Sequence, residues 1–289
     1  MDRDRLTALL EAYLVTFLWS SSYVLVKVGL TEVSPLTLVT LRYIVASIVL
    51  LPIAIVRGET AALREKGNLM KLLFLGLTGY TVAQGLQCVG LFYLPAVSVT
   101  FILNFTPVIV LAMGVVALGE RPTRLQLAGM LLVLVGAYLY FNAPLSSNRP
   151  LGVLITLVSG LGWASYLVSG RLLFVKGEMR PLGLTSFSMG LGTLVLAAAS
   201  ISFEGLPPVS SSSWAIIIWL GVVNTAVAFF LWNHALQRLE AFEISVLQNT
   251  MLVQIAVLAW IFLGESLTVA KLVPMAMVFV GALVVQLRK

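Results

Sequence analysis

The chain has 289 residues, of which 60% are hydrophobic and 10% charged, with a net charge of +6 and a mean hydropathy of +1.02. Soluble domains carry roughly a quarter of their residues charged, so this composition cannot cover a water-soluble globule, and it excludes disorder as well. The basic residues sit in short stretches between long apolar runs, a pattern of membrane topology and not of a nucleic-acid-binding face.

A bilayer core of about 30 Å takes about 20 apolar residues per helix. Runs of that kind predict an all-α integral membrane protein with ten transmembrane helices, over about 8–29, 34–56, 69–88, 96–118, 125–142, 152–174, 182–203, 213–234, 241–263 and 269–287. Breakers separate them: Ser34-Pro35, Gly58-Glu59, Pro95, Gly119-Glu120-Arg121-Pro122, Asn142-Ala143-Pro144, Pro181 and Pro207-Pro208. Nearly every residue falls in a span or a short connector, so no appended soluble domain is expected. The first run is too long for a cleavable signal peptide. The single cysteine, Cys88, lies inside an apolar run, which leaves no disulfide framework and no cysteine-based metal site.

Orientation follows from the lysines and arginines. With the N-terminus inside, the cytoplasmic side collects fourteen of the 18: Arg3, Arg5, Arg57, Arg64, Lys66, Lys71, Arg121, Arg124, Arg171, Lys176, Arg180, Arg238, Arg288 and Lys289. The other side keeps Lys27, Arg42, Arg149 and Lys271. This bias predicts an inner-membrane protein with both termini cytoplasmic.

Shifted on itself by about 145 residues, the chain repeats. Leu75-Gly76 falls on Leu220-Gly221, Val82-Ala83 on Val227-Ala228, and Asn104 on Asn249. Leu118-Gly119-Glu120 falls on Leu263-Gly264-Glu265, Thr123 on Thr268, and Val135-Gly136-Ala137 on Val280-Gly281-Ala282. At one residue less, Trp19 meets Trp163 and Lys27 meets Arg171. Each half, about 8–142 and about 152–287, holds five predicted spans. Five is odd, so the second half enters the membrane upside down relative to the first. Inverted repeats are an architecture of secondary transporters, whose substrate lies near midplane where the halves meet.

The same residues carry a family resemblance. Phe17-Leu18-Trp19-Ser20-Ser21-Ser22-Tyr23, Ser34-Pro35 and Leu41-Arg42-Tyr43 resemble the opening of an EamA domain. Thr106-Pro107-Val108, Leu118-Gly119-Glu120-Arg121, Gly129 and Gly136 are similar to its close. The second copy keeps Trp163 but has Leu252 for Pro107 and Pro274 for Gly129. The resemblance is to the ten-helix EamA branch of the drug/metabolite transporter superfamily, and covers almost the whole chain. It implies two inverted five-helix EamA repeats and export or exchange of small metabolites, often amino acids or related compounds.

Candidate substrate residues follow from polarity at depth. Asn104 and Asn249 are repeat mates about eight residues into their spans, or about 12 Å of helix. An amide in hydrocarbon needs a partner, so each either hydrogen-bonds a solute in a wet cavity or ties helices together. Gln84, Gln87, Gln248, Gln254 and Asn224 extend the amide set, with Tyr80 one turn before Gln84. Such a lining suits a neutral or zwitterionic solute. Trp19 and Trp163 lie well inside their spans, as walls against an apolar or aromatic solute or as core filling; Trp214, Trp219 and Trp260 read as interfacial anchors. Arg42 either attracts a carboxylate or snorkels; Lys27 is expected to snorkel.

Other polar groups read as structural. Glu120 and Glu265 end spans after a glycine and are expected to stabilise turns; Glu11 and Glu243 look peripheral. His234, the only histidine, is not expected to couple transport. Small-residue spacings such as Ser188-x-x-x-Gly192 are packing signals. The expected partners are a small-molecule metabolite and membrane lipid, with no cofactor, metal or nucleic acid. An enzyme is disfavoured, since Gly-x-Ser-x-Gly and His-Glu-x-x-His motifs are missing. A channel-like facilitator is disfavoured because no charge ring or filter-like loop is present.

Overall fold

A computed structural model describes residues 3–60, 63, 65, 67–94, 96–141, 150–205, 208–263 and 269–287. Glu265, Gly264 and Thr268, the breakers Pro95, 142–144 and Pro207, Arg64, Lys66, Arg149, Arg288 and Lys289 lie outside them, as do the side chains of Tyr23, Lys27 and Trp260. Among the described residues the chain is helical, with no strand.

The first half comprises α1 (Arg3–Gly29), α2 (Pro35–Val56), α3 (Asn68–Leu75, Gly76–Gly85 and Leu86–Tyr93), α4 (Ala96–Leu103 and Thr106–Leu118) and α5 (Arg124–Phe141). The second comprises α6 (Pro150–Val175), α7 (Pro181–Glu204), α8 (Ser211–Gly221, Val222–Val227 and Ala228–Leu236), α9 (Ala241–Gln248 and Met251–Leu263) and α10 (Val269–Gln286). Among the described residues, seven stretches are long and apolar enough to cross a membrane: Pro35–Val56, Asn68–Gly90, Val99–Leu118, Pro150–Val175, Pro181–Glu204, Ser211–Leu236 and Ala241–Leu258. Arg124–Tyr140 and Lys271–Gln286 are shorter apolar helices.

Local chemistry sets several helix starts. Proline opens α2 and α7, where the missing N–H costs nothing. The Glu204 carboxylate at the end of α7 caps α2, accepting from the backbone of Leu36 at 3.0 Å and Thr37 at 2.7 Å. Ser210 caps α8 through the Ser213 N–H, and Glu240 with Glu243 closes a capping box on α9.

The packing respects the sequence repeat. α2 packs against α7 and α5 against α10, each helix on its own repeat mate; α1 meets α8 as α6 meets α3. At the α5–α10 crossing a Cβ on Gly129 would lie 2.8 Å from the Gly281 carbonyl, and one on Gly136 would lie 2.9 Å from the Pro274 carbonyl. The 145-residue shift exchanges these two contacts.

Interruptions repeat as well. α3 and α8 each carry a π-helical stretch, Gly76–Gly85 and Val222–Val227. α4 breaks at Asn104-Phe105 and α9 at Asn249-Thr250, where the sequence reading had continuous spans. Pro107 explains the first break, because it has no N–H for the helical ladder. The second forms without a proline: Leu252 stands there and donates to the Asn249 carbonyl at 3.1 Å.

Candidate substrate cavity

A cavity of about 170 Å³ opens where α1, α2, α3, α4, α6, α8 and α9 converge. Seven of the eight residues expected from sequence line it: Trp19, Arg42, Gln84, Asn104, Trp163, Gln248 and Asn249. Gln87 is there too. Tyr80 is the exception. It is fully buried, and its hydroxyl meets that of Tyr166 at 2.9 Å, in a network continued by Asn233 at 2.6 Å from Tyr166. The π turn accounts for this, since i→i+5 bonding widens the helix and positions four apart no longer stack. Gln254 and the Asn224 side chain also serve packing: Gln254 donates to Thr16 at 2.9 Å, and the Asn224 amide donates to the Leu18 carbonyl.

The aromatic wall is fixed edge by edge. Trp19 stands T-shaped to Trp163, centroids 5.9 Å apart, and packs on Phe229 at 5.2 Å. Each indole N–H has an acceptor: Asn224 O for Trp19 at 3.1 Å, and Gln248 Oε1 for Trp163 at 2.8 Å. Trp163 therefore orients Gln248. Phe229, Ser159 and Ser245 line the cavity and were missed from sequence. Phe229 stands five residues from Asn224 and Ser245 four from Asn249, and neither a lone phenylalanine nor a lone serine in an apolar run marks a cavity.

The two asparagines are not equivalent. Val108 N–H turns to Phe105 O, 3.0 Å away, so the Asn104 carbonyl leaves the α4 ladder. Pro107 offers it no N–H, and the Asn249 amide takes it at 2.8 Å. Asn249 thus ties α9 to α4. The Asn104 amide donates to Thr100 O at 2.8 Å, while its Oδ1 is buried with no partner among the described residues. One asparagine holds the fold, and the other keeps an unused acceptor at the cavity.

Away from the cavity lining, the bundle end that holds the N-terminus carries five ion pairs among the described residues. These are Arg5–Glu243, Lys71–Glu178, Arg171–Glu120, Arg180–Glu59 and His234–Glu11. Glu120, expected to stabilise its own turn, reaches instead to other helices, accepting from Arg171 of α6 and from the first backbone N–H of α9, each at 3.2 Å. Burial pushes its carboxyl above the ordinary carboxylate value, and Arg171 opposes the shift. Glu243, expected at the periphery, is fully buried. The start of α1 folds across it and brings Arg5.

Comparison with known proteins decides the family. The EamA-like transporter family matches residues 6–142 and 150–287. The chain belongs to that family. It is thus a multi-pass membrane transporter of the drug/metabolite transporter superfamily, not an enzyme. An uncharacterized transporter of Archaeoglobus fulgidus is 26% identical over 88% of each chain. A probable amino-acid metabolite efflux pump of Salmonella typhimurium is 26% identical over 93% of this chain and 91% of its own. A probable terminal-alkyne amino-acid exporter of Streptantibioticus cattleyicolor is 25% identical over 93% and 90%. A crystal structure at 20% identity superposes with a TM-score of 0.82 over 96% of both chains, a likeness of fold alone. The EamA-like match covers both halves on either side of the cavity.

Proposed function

We propose that this EamA-like chain is a secondary transporter of a small metabolite, an amino acid or a related neutral, zwitterionic or aromatic compound. It works by alternating access across the inner membrane, in export or exchange, with ten spans in two inverted five-helix repeats (8–142 and 152–287) and both termini cytoplasmic. One observation carries the reading: the cavity lies at the breaks of two repeat-related helices, beside Asn104 and Asn249. Discontinuous helices at a repeat interface are how transporters present polar groups at midplane. With the N-terminus inside, the ion-paired end is cytoplasmic. The named efflux and export activities of the relatives support this class of cargo. Counterflow in liposomes tests it: a carrier preloaded with its solute accumulates labelled solute transiently and saturates, and uptake that is linear without counterflow would point to a pore.

The asparagines give a paired expectation. Asn104→Leu keeps the backbone carbonyl that Asn249 holds but removes the free acceptor, so affinity should fall about threefold to tenfold, for about 0.5–1.5 kcal/mol. Its melting temperature should barely move. Asn249→Leu should do the reverse, lowering the melting temperature first. Equal thermal losses with unchanged affinity in both variants would make both residues helix ties.

His234 is held between Glu11, 2.7 Å from Nδ1, and Arg238, 2.8 Å from Nε2. That clamp belongs to the ion-paired end, away from the cavity lining. His234→Asn should therefore leave the pH profile of counterflow unchanged, and a profile that flattens in a well-folded variant would make the histidine the coupling group.

A further inference from the structure

Arg42 is the one charged side chain lining the cavity among the described residues, and no carboxylate lines it there. Nor does it appear in any of the five ion pairs. The guanidinium is instead gripped from behind: Nε donates to Thr225 Oγ1, and Nη2 donates to the Asn224 carbonyl at 3.0 Å. Both acceptors belong to the π segment Val222–Val227 of α8. The widened turn opens carbonyls to side-chain donors. The same Asn224 carbonyl also holds the Trp19 indole, and Thr225 Oγ1 spends its own proton on Leu220 O at 2.8 Å. That leaves oxygen lone pairs for Arg42. Thr225 and Asn224 are fully buried, so this grip is rigid. Nη1 alone has no acceptor among the described residues.

A guanidinium oriented on one side and unpaired on the other is a carboxylate receptor. Its charge, half-buried in a cavity also lined by Trp19, Trp163 and Phe229, is compensated once an anion arrives. The remaining polar lining is uncharged: Gln84, Gln248 and Asn104 offer amides and no counter-ion for an ammonium group. We propose that Arg42, positioned by Thr225 and the Asn224 carbonyl, binds the carboxylate of the cargo, and that the cavity selects apolar or aromatic monocarboxylates without requiring an ammonium group. This deepens the transport reading above and rests on it only for the passage of the cargo.

The test is calorimetric titration of the full-length protein in detergent with phenylacetate, phenylacetamide and phenethylamine. Phenylacetate should bind about tenfold more tightly than the amide, the scale of a charge-assisted bidentate contact, and the amine should not bind. Arg42→Gln should bring the acid down to the affinity of the amide. Thr225→Val keeps the charge but releases Nε, leaving the Asn224 carbonyl as the one anchor, and should weaken the acid about threefold while sparing the amide. This second variant carries the test if Arg42→Gln does not fold. Equal affinities for acid and amide, no binding of the acid at millimolar concentration, or an acid preference that survives in both variants would overturn the proposal. An acid that binds as expected but gives no counterflow would count against transport while leaving the receptor standing.

Discussion

Gly192→Leu should abolish the folded protein. α7 crosses the π stretch of α3 with backbones in contact: a Cβ on Gly192 would lie 2.5 Å from the Gly76 carbonyl, and one on Gly76 would lie 2.6 Å from the Ser188 carbonyl. These obstacles are main chain, so no side-chain rotation relieves them. Overpacking a core costs about 1–3 kcal/mol when side chains can shift, and a clash of backbone on backbone exceeds that range. Even Gly192→Ala must push the helices apart, and both lie under the aromatic cluster that walls the cavity. Leu194, two residues along and 68% exposed, is the matched control, since Leu194→Val touches only the outer surface. Fluorescence-detected gel filtration after mild solubilisation reads the result. A monodisperse Gly192→Leu peak melting like the control would show that this crossing is looser than its geometry.

Much of this was legible before folding, for identifiable reasons. Burial in lipid forces long apolar runs, so the helices and their order follow from hydropathy. The repeat shift paired Asn104 with Asn249, and the cavity lies between them. Ser188-x-x-x-Gly192 likewise marked the α7–α3 crossing. The failures have causes too. Sequence identity at equivalent positions hid an asymmetry, because Pro107 releases a carbonyl that Leu252 does not. The π stretches carry no residue code, so Tyr80 was placed on the Gln84 face and the shared role of Asn224 and Thr225 behind Arg42 and Trp19 was invisible. Phe229 looked like any apolar residue of its span. Glu243 was misjudged because closeness to a span end along the chain says nothing about what folds over it.

That carboxylate carries the second large expectation: Arg5→Ala should cost about 3–5 kcal/mol of stability. Glu243 is fully buried and accepts from Arg5 Nη1 at 3.1 Å, Arg5 Nη2 at 2.8 Å and Gln126 Nε2 at 3.2 Å. It also accepts from the Glu240 backbone N–H at 3.2 Å, closing its own helix cap. Arg5 Nη2 and Gln126 Nε2 reach on to the carbonyls of Gln286 and Val285, both at 3.3 Å, so one carboxylate joins α1, α5, α9 and α10. An exposed pair would be worth at most about 1 kcal/mol. Here the loss of Arg5 strands a charge where water does not reach, and the stranded charge dominates the penalty. Glu243→Gln keeps the shape and the cap acceptor while removing that charge. The double variant should therefore recover a large part of what Arg5→Ala loses, a coupling that a double-mutant cycle isolates. Thermal melts of the four proteins in one detergent decide it. Strict additivity, or an Arg5→Ala loss of the size of an exposed pair, would mean that Glu243 is neutral or solvated and that this end of the bundle is held by packing alone.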